Sequence, residues 1–186
     1  MIVFPEWWKG GYPDREKLCQ YAVRPFTDLL DVYTLDPDDP DQPVQVMNAD
    51  DTPRRPYLCS WLPSNYLDRL PVVRFYRGGG AVDEGKLKDP ASVQIGVVGA
   101  TRDDSVTLLE YTRQILLALP RSGGAVKCPD GSWSSVLDVY EIDGPELIPE
   151  VDPDARLVVH TLGVDCRMPR DVPDYGPIIT RIMTAA

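Results

Sequence analysis

The side chains that most often perform chemistry are sparse in this sequence. It has one histidine, His160, and four cysteines, and no two cysteines are close enough to form a C-x-x-C pair. One histidine cannot build a multi-histidine metal site, and it permits only a single Ser-His or Cys-His nucleophilic pair. Because apolar residues surround His160, we expect it in a strand with its imidazole satisfied by hydrogen bonds. The cysteines are expected to be buried free thiols.

The run Gly78-Gly79-Gly80 stands where a phosphate-binding loop would stand, directly after an apolar, β-branched segment. Its spacing fits neither GxGxxG nor GxxxxGKS/T, and Asp83 and Glu84 follow where a helix N-terminus should receive the anion. The serines near residue 134 also lack the GxSxG spacing of a nucleophile elbow. The glycines therefore predict a flexible hairpin tip with no cofactor.

The acidic run between residues 36 and 41 could attract a hard cation. A calcium-binding loop beginning at Asp36 would need glycine at its sixth position and glutamate at its twelfth, but the sequence has Asp41 and Met47 there. Prolines within the run lack backbone donors, and the aspartates repel one another. The pattern predicts an exposed acidic loop without a metal. No residue of the sequence is assigned a catalytic role.

The composition excludes several classes of binding protein. The chain has 186 residues and a net charge of −10, which repels nucleic-acid phosphates and anionic lipid headgroups. No apolar run approaches the roughly 18 residues of a membrane span, and the first residues lack the pattern of a signal peptide. We therefore expect a soluble protein made in a cytoplasm, with no membrane partner.

Hydrophobic periodicity and turn signals divide the chain into helices and strands. Asp14 is a predicted N-cap for a helix over 14–30, which Pro25 could kink. Thr101 is a predicted N-cap for a long amphipathic helix that ends at Pro120. Its expected buried stripe consists of Leu108, Tyr111, Ile115 and Leu119. Strands are predicted at 57–62, 70–77, 92–97, 134–142 and 155–167.

This order predicts an α+β fold. Sequential hairpin connections favour a mostly antiparallel or mixed sheet of four to five strands, with the N-terminal helix and the long amphipathic helix on one face. We expect a single domain over residues 14–167, with an acidic, proline-rich insertion at about 32–56. An N-terminal arm, 1–13, and a C-terminal arm, 168–186, flank this domain.

Large apolar side chains in the two arms are candidates for an interaction surface. They are Trp7, Trp8, Tyr175, Ile178, Ile179 and Ile182. One interpretation is that the arms fold back and complete the protein's own core. The other is that they anchor one subunit on a neighbour or partner, since aromatic and aliphatic anchors dominate protein interfaces.

Two long segments resemble a known family. They are the run 70–80, LPVVRFYRGGG, and the run 89–104, DPASVQIGVVGATRDD, which leads into the amphipathic helix. The tail terminator proteins of long-tailed, siphovirus-type bacteriophages, particularly those of actinobacterial phages, similarly have an LPVVRV strand, a glycine-rich turn, a strand leading into GATR, and a helix. The resemblance covers about residues 58–167. The insertion and the tryptophan-rich start depart from the family pattern.

The resemblance implies a virion structural protein without a cofactor. Such a subunit would form a homo-hexameric ring on the head-proximal end of the tail tube, stop polymerisation of the major tail protein, and offer a docking surface to the head-completion protein. It would reside at the head-tail junction of the virion, after assembly in the host cytoplasm. Duplex DNA would pass through the ring without specific binding. The candidate channel-facing acidic residues are Asp83, Glu84, Asp38 and Asp39.

Two other functions remain open at this stage. A head-completion, or stopper, protein would form rings at the same joint, and binding to the head side instead of the tube end would distinguish it. A small cytoplasmic enzyme could use carboxylates with an adventitious divalent metal. Metal ions or a chelator would then change its thermal stability, because a ligand that binds the folded state stabilises it.

Overall fold

A computed structural model describes residues 2–8, 11, 13–39, 41–80, 88–147, 156–167 and 174–185. Three α-helices lie in this part of the chain, α1 (Arg15–Thr27), α2 (Arg102–Ala118) and α3 (Gly176–Ala185). The described strands are β1 (Tyr33–Leu35), β2 (Pro43–Gln45), β3 (Tyr57–Cys59), β4 (Val72–Gly79), β5 (Lys88–Val98), β6 (Ala125–Lys127), β7 (Trp133–Leu147) and β8 (Leu157–Arg167). Short 3-10 turns occupy Tyr66–Arg69 and Pro120–Ser122.

The central element is a six-stranded sheet in the order β3-β4-β5-β8-β7-β6. The β3–β4 pair is parallel, and every other pair in this sheet is antiparallel. The long strands β5 and β8 lie at its centre and pair along their full length, with Ile95 opposite His160. Short strands form both edges, which limits unwanted edge-to-edge pairing. The α+β class is confirmed.

The predicted strand number is wrong. The sheet has six strands instead of four or five, and β1 and β2 form a separate two-stranded hairpin. The additional edge strand β6 is three residues long and directly follows Gly123-Gly124. The hairpin lies within the insertion. Its two three-residue strands were not predicted, because prolines and aspartates are typical of loops. Strands this short carry too few residues to show a period-two pattern.

Both predicted helix starts are confirmed. The Asp14 side chain accepts hydrogen bonds from the backbone N–H groups of Glu16 and Lys17. The Thr101 side chain accepts from the backbone N–H of Asp104, whose carboxylate accepts from the N–H of Thr101, which is a reciprocal capping box. The first helix ends at Thr27, three residues before the predicted end.

The helices α1 and α2 cover one face of the sheet. The buried side of α2 consists of Ser105, Leu108, Leu109, Thr112 and Leu116. The predicted stripe was therefore displaced, because Tyr111, Ile115 and Leu119 are only partly buried at the margin of the core. Two small polar residues lie at the centre because their hydroxyls bond to nearby backbone: Thr112 donates to the carbonyl of Leu108.

A buried ion pair joins α1 to the sheet. The Arg15 guanidinium lies 2.5 Å from the Asp89 carboxylate, and the two side chains are 0% and 1% exposed. Arg15 also donates to the backbone carbonyls of Pro13 and Asp89. A second cation, Arg77, lies 3.8 Å from the other Asp89 oxygen. Because a buried charge is costly unless paired, this contact determines how α1 is placed at the start of β5.

Candidate interaction surface

The two arms meet through their aromatic side chains. The ring of Trp8 stacks on that of Tyr175 with centroids 5.2 Å apart, and Trp7 meets the same tyrosine edge-on at 6.0 Å. Phe4 extends the group, with its ring 6.1 Å from that of Trp8. We call Phe4, Trp7, Trp8 and Tyr175 the aromatic cluster. It brings together three of the six residues that the sequence singled out as candidate contacts.

The other three predicted contact residues lie on α3. Ile178 is partly buried, while Ile179 and Ile182 are 55% and 48% exposed. Met183, one turn beyond Ile179, is exposed as well. The period of 3.6 residues per turn places Thr180 and Thr184 away from the centre of this stripe, on a polar side of the helix, and their hydroxyls donate to backbone carbonyls one turn earlier. The helix therefore presents an apolar stripe to solvent, and it does not pack extensively against another described element.

A groove lies between the β1–β2 hairpin and the first turns of α2. It consists of two adjoining cavities of about 310 and 570 Å³ that share five lining residues. These shared residues are Val32, Tyr33, Leu70, Ala100 and Asp104. Most of the lining is apolar, and no described residue of either arm contributes to it. We call this feature the hairpin groove. Its lining comes from several distant segments of the chain, so sequence patterns did not reveal it.

The sheet face away from α1 and α2 carries a second surface that the sequence did not predict. Arg74 alternates with the buried Val73 and Phe75, so its side chain lies on this outer face. Its guanidinium lies over the ring of Tyr76 at 5.1 Å and over that of Trp61 at 6.0 Å. Trp61 is 79% exposed. Large aromatic and arginine side chains are enriched where proteins contact one another.

The predicted channel-facing residues fall into two groups. Asp38 and Asp39 are exposed at the tip of the β1–β2 hairpin. Backbone N–H groups two residues onward donate to the carboxylates of Asp36 and Asp39, which shapes the tip. Asp83 and Glu84 lie outside the described residues. Their facing a channel stays a prediction.

The described residues contain no constellation suited to metal or nucleophilic chemistry. No group of three His, Cys, Asp or Glu side chains in these segments could hold a metal ion. Burial raises the pKa of the Cys19 thiol to about 12 and that of the Cys166 thiol to about 11. Both therefore remain protonated near neutral pH, which leaves them poor nucleophiles. None of the described helices has the length and hydropathy to span a bilayer.

Comparison with known proteins identifies the family. The profile of a family described as phage tail termination protein matches residues 11–173. The chain belongs to the phage tail termination protein family. This finding confirms the resemblance carried by the strand, glycine turn and helix segments, and it extends the match across the insertion. A comparison with curated proteins finds no relative.

Membership of this structural family makes the chain a bacteriophage tail protein. The matched range, 11–173, includes the whole six-stranded sheet, α1, α2 and the hairpin groove. It leaves out Trp7 and Trp8 at one end and Tyr175 with α3 at the other. The family match therefore carries no information about the aromatic cluster or α3.

His160 departs from one expectation. It lies in a strand as predicted, but it is 1% exposed and neither ring nitrogen has a hydrogen-bond partner among the described residues. Burial lowers the pKa of His160 to about 4, with a contribution from Arg113 that Glu141 and Glu110 oppose. Arg113 is held by hydrogen bonds to both of these carboxylates. The imidazole is therefore neutral in the folded protein near pH 7.

Replacing His160 by leucine should flatten the pH dependence of stability between about pH 4 and 6.5. In that range His160 is protonated in the unfolded chain but neutral in the folded chain, so the free energy of unfolding falls as the pH is lowered. The shift from 6.5 to about 4 corresponds to about 3 kcal/mol at the acid end. Urea unfolding of both proteins at pH 7 and pH 4.5 measures the difference. Parallel stability profiles for the two proteins would refute the assignment.

Proposed function

We propose that this chain forms a homo-hexameric ring that caps the head-proximal end of the phage tail tube. There it stops polymerisation of the major tail protein and offers the head-completion protein a surface for head-tail joining. The observation that carries this proposal is the family match over residues 11–173. The exposed apolar groups of the aromatic cluster, α3 and the outer sheet face support it, because such groups are typical of protein contacts.

A ring can end a tube by shape alone. One face must match the end of the growing tube, and the opposite face must lack complementarity to the next tube subunit, so that elongation has no further site. This task requires contact surfaces and no reactive side chain. It is compatible with the raised thiol pKa values and with the neutral, buried His160.

The direct test is negative-stain electron microscopy of the purified chain, alone and mixed with tail tubes of the same phage. We expect density at one end of each tube, in the form of a ring with sixfold symmetry. The outer-face variant Arg74→Glu should weaken binding to the tube if that face contacts it, whereas Lys127→Glu, on the edge strand β6, serves as a charge-matched control. Binding to isolated heads instead of tube ends would refute the tube-capping role and identify a stopper.

The acidity of the chain suits a ring through which DNA must pass. Carboxylates that face the bore would repel phosphates and keep the duplex from adhering. We therefore propose that Asp83 and Glu84, or Asp38 and Asp39 of the hairpin tip, face that channel. The net charge of −10 agrees with this arrangement.

Reversing Asp83 and Glu84 to lysine should leave ring assembly intact but slow DNA ejection from the virion. The physical reason is attraction between the introduced ammonium groups and passing phosphates, which added salt should weaken. Ejection rates of variant and wild-type virions, measured at low and high salt, test this result. The same reversal at Asp130 and Asp138, two exposed carboxylates of the β6–β7 region, provides a control. Normal ejection by the Asp83 and Glu84 variant would contradict the proposal that these residues face the channel.

A further inference from the structure

The helix α3 cannot owe its stability to its length. It has ten residues, and isolated helices shorter than about 12 residues are marginal in water. Most helices gain stability by burying an apolar face. In this chain the corresponding face, formed by Ile179, Ile182 and Met183, is exposed. The helix therefore has a docking face without a described partner.

The aromatic cluster fixes the base of this helix. Tyr175 directly precedes α3, and its backbone carbonyl accepts the hydrogen bond from the N–H of Ile179. Because the Tyr175 ring is stacked on Trp8 and flanked by Trp7, the N-terminal arm restrains the start of α3. A restrained base lowers the conformational entropy lost when the helix docks. The described part of the N-terminal arm and α3 are thus joined through the aromatic cluster.

We propose that α3 of one subunit docks its apolar stripe into the hairpin groove of a second copy of the chain. That this contact joins subunits into a ring rests on the proposed function. The groove offers apolar lining and cavities of about 310 and 570 Å³. Tyr33 and Leu35 on the hairpin are themselves 55% and 63% exposed and would be covered by the helix.

Charge favours the chain's own helix as the occupant of this groove. The insertion that carries the hairpin contains six aspartates against two arginines between residues 32 and 56. Asp31, Asp104 and Arg54 line the groove, and Asp31 is paired with Arg55. The only ionisable side chain of α3 is Arg181, and it borders the apolar stripe one turn after Ile178. The excess of negative charge therefore lies on the insertion that carries the hairpin, and it faces a helix with a single positive charge.

The contact joins two different parts of the chain, the helix of one subunit and the groove of another. In the ring of the proposed function it is heterologous, with the helix of each subunit bound to the groove of the next. A reciprocal exchange of helices between two copies would instead give a closed dimer, which ultracentrifugation distinguishes from a larger ring. Heterologous contacts generate closed rings when the rotation between subunits closes, whereas an isologous contact would stop at a dimer. The helix α3, which lies outside the family match, would thus link subunits around the ring.

Cross-linking between two differently labelled chains tests the contact. One chain carries Ile182→Cys and the other Tyr33→Cys, both in a Cys128→Ser background, since Cys19, Cys59 and Cys166 are buried. In a concentrated mixture without other components, we expect a thiol-thiol cross-linker to join the two labels. The matched control is Thr180→Cys, on the polar side of α3, which should cross-link far less. Equal yields from both positions, or no intermolecular product, would overturn the proposal, as would a product formed only within a chain that carries both cysteines.

Association measurements give a second, independent readout. Ile179→Asp should weaken self-association at least about tenfold, because it removes an aliphatic group that the contact would bury and places a charge in an apolar groove. Thr180→Asp adds the same charge on the polar side and should leave association near that of wild type. Ultracentrifugation measures both, and circular dichroism confirms folding. Tube capping by an Ile179→Asp protein that associates normally would refute the docking and leave the proposed function standing. Cross-links between α3 of one copy and the groove of another, in a chain that never binds tubes, would instead support the docking and refute the proposed function.

Discussion

Replacing Asp89 by asparagine is expected to lower the free energy of unfolding by about 3–5 kcal/mol. The change leaves the Arg15 guanidinium 0% exposed and without the carboxylate that neutralises it. Its remaining acceptors are the carbonyls of Pro13 and of residue 89, which carry no formal charge. Urea unfolding monitored by tryptophan fluorescence measures the loss.

Two further variants separate the buried charge from ordinary surface effects. Asp31→Asn breaks the exposed ion pair with Arg55, whose side chain is 35% exposed, and should cost at most about 1 kcal/mol. Replacing both Arg15 and Asp89 by apolar residues of similar volume should recover most of the stability, because no charge remains buried. If Asp89→Asn were no more destabilising than Asp31→Asn, the ion pair would not fix α1 to the sheet.

Gly124→Ala should be nearly as damaging, with an expected loss of about 3 kcal/mol. Gly124 has φ of +65°, and a Cβ atom there would clash with the carbonyl oxygen of Val136. The left-handed backbone contributes about 1–2 kcal/mol for a residue with a side chain, and displacing a packed neighbour about 1–3 kcal/mol. The Gly124 carbonyl also accepts from the Val136 N–H, so the shift breaks β6 away from β7.

The neighbouring glycine provides the matched control. Gly123 also has positive φ, +99°, but a Cβ atom at that position meets nothing within 4 Å. Gly123→Ala should therefore lose only the backbone contribution, about 1–2 kcal/mol. Thermal and urea unfolding of the two variants give the comparison. Equal losses at the two positions would show that the close approach to Val136 is relaxed at little cost.

Sequence patterns predicted the helix starts and the long strands, because contacts between residues close in the sequence determine these elements. Asp14 and Thr101 begin their helices as expected, because a cap needs only a side-chain oxygen and nearby backbone N–H groups. The long strand β5 is visible in the sequence because it alternates, and β8 because it is a mostly apolar run that is buried on both faces. The α+β class follows from the order of these elements.

The elements that tertiary contacts determine were missed. The edge strand β6 exists because Val126 is buried beside β7, and three residues carry no periodic signal of their own. The exact face of α2 was misplaced because Ser105 and Thr112, which are polar, lie in the core with their hydroxyls bonded to backbone. His160 shows the same limit, since hydropathy cannot reveal whether a buried imidazole finds a partner.

The candidate interaction surface was also predicted only in part from the sequence. Residues of the arms could be selected from the sequence because aromatic and aliphatic groups outside regular elements are conspicuous there. That Trp8 would meet Tyr175 could not be foreseen, since 167 positions separate them in the sequence. The hairpin groove was equally hidden, because Tyr33, Leu70 and Ala100 come together only in the folded chain.

The central claim is that this chain ends tube growth by occupying the tube end. The most direct measurement is the length distribution of tubes formed by the major tail protein of the same phage, with and without the purified chain, by electron microscopy. Tubes should become shorter as the ratio of chain to tube protein rises, and one end of each should carry the chain. Unchanged tube lengths at every ratio, with no chain bound at either end, would contradict the account.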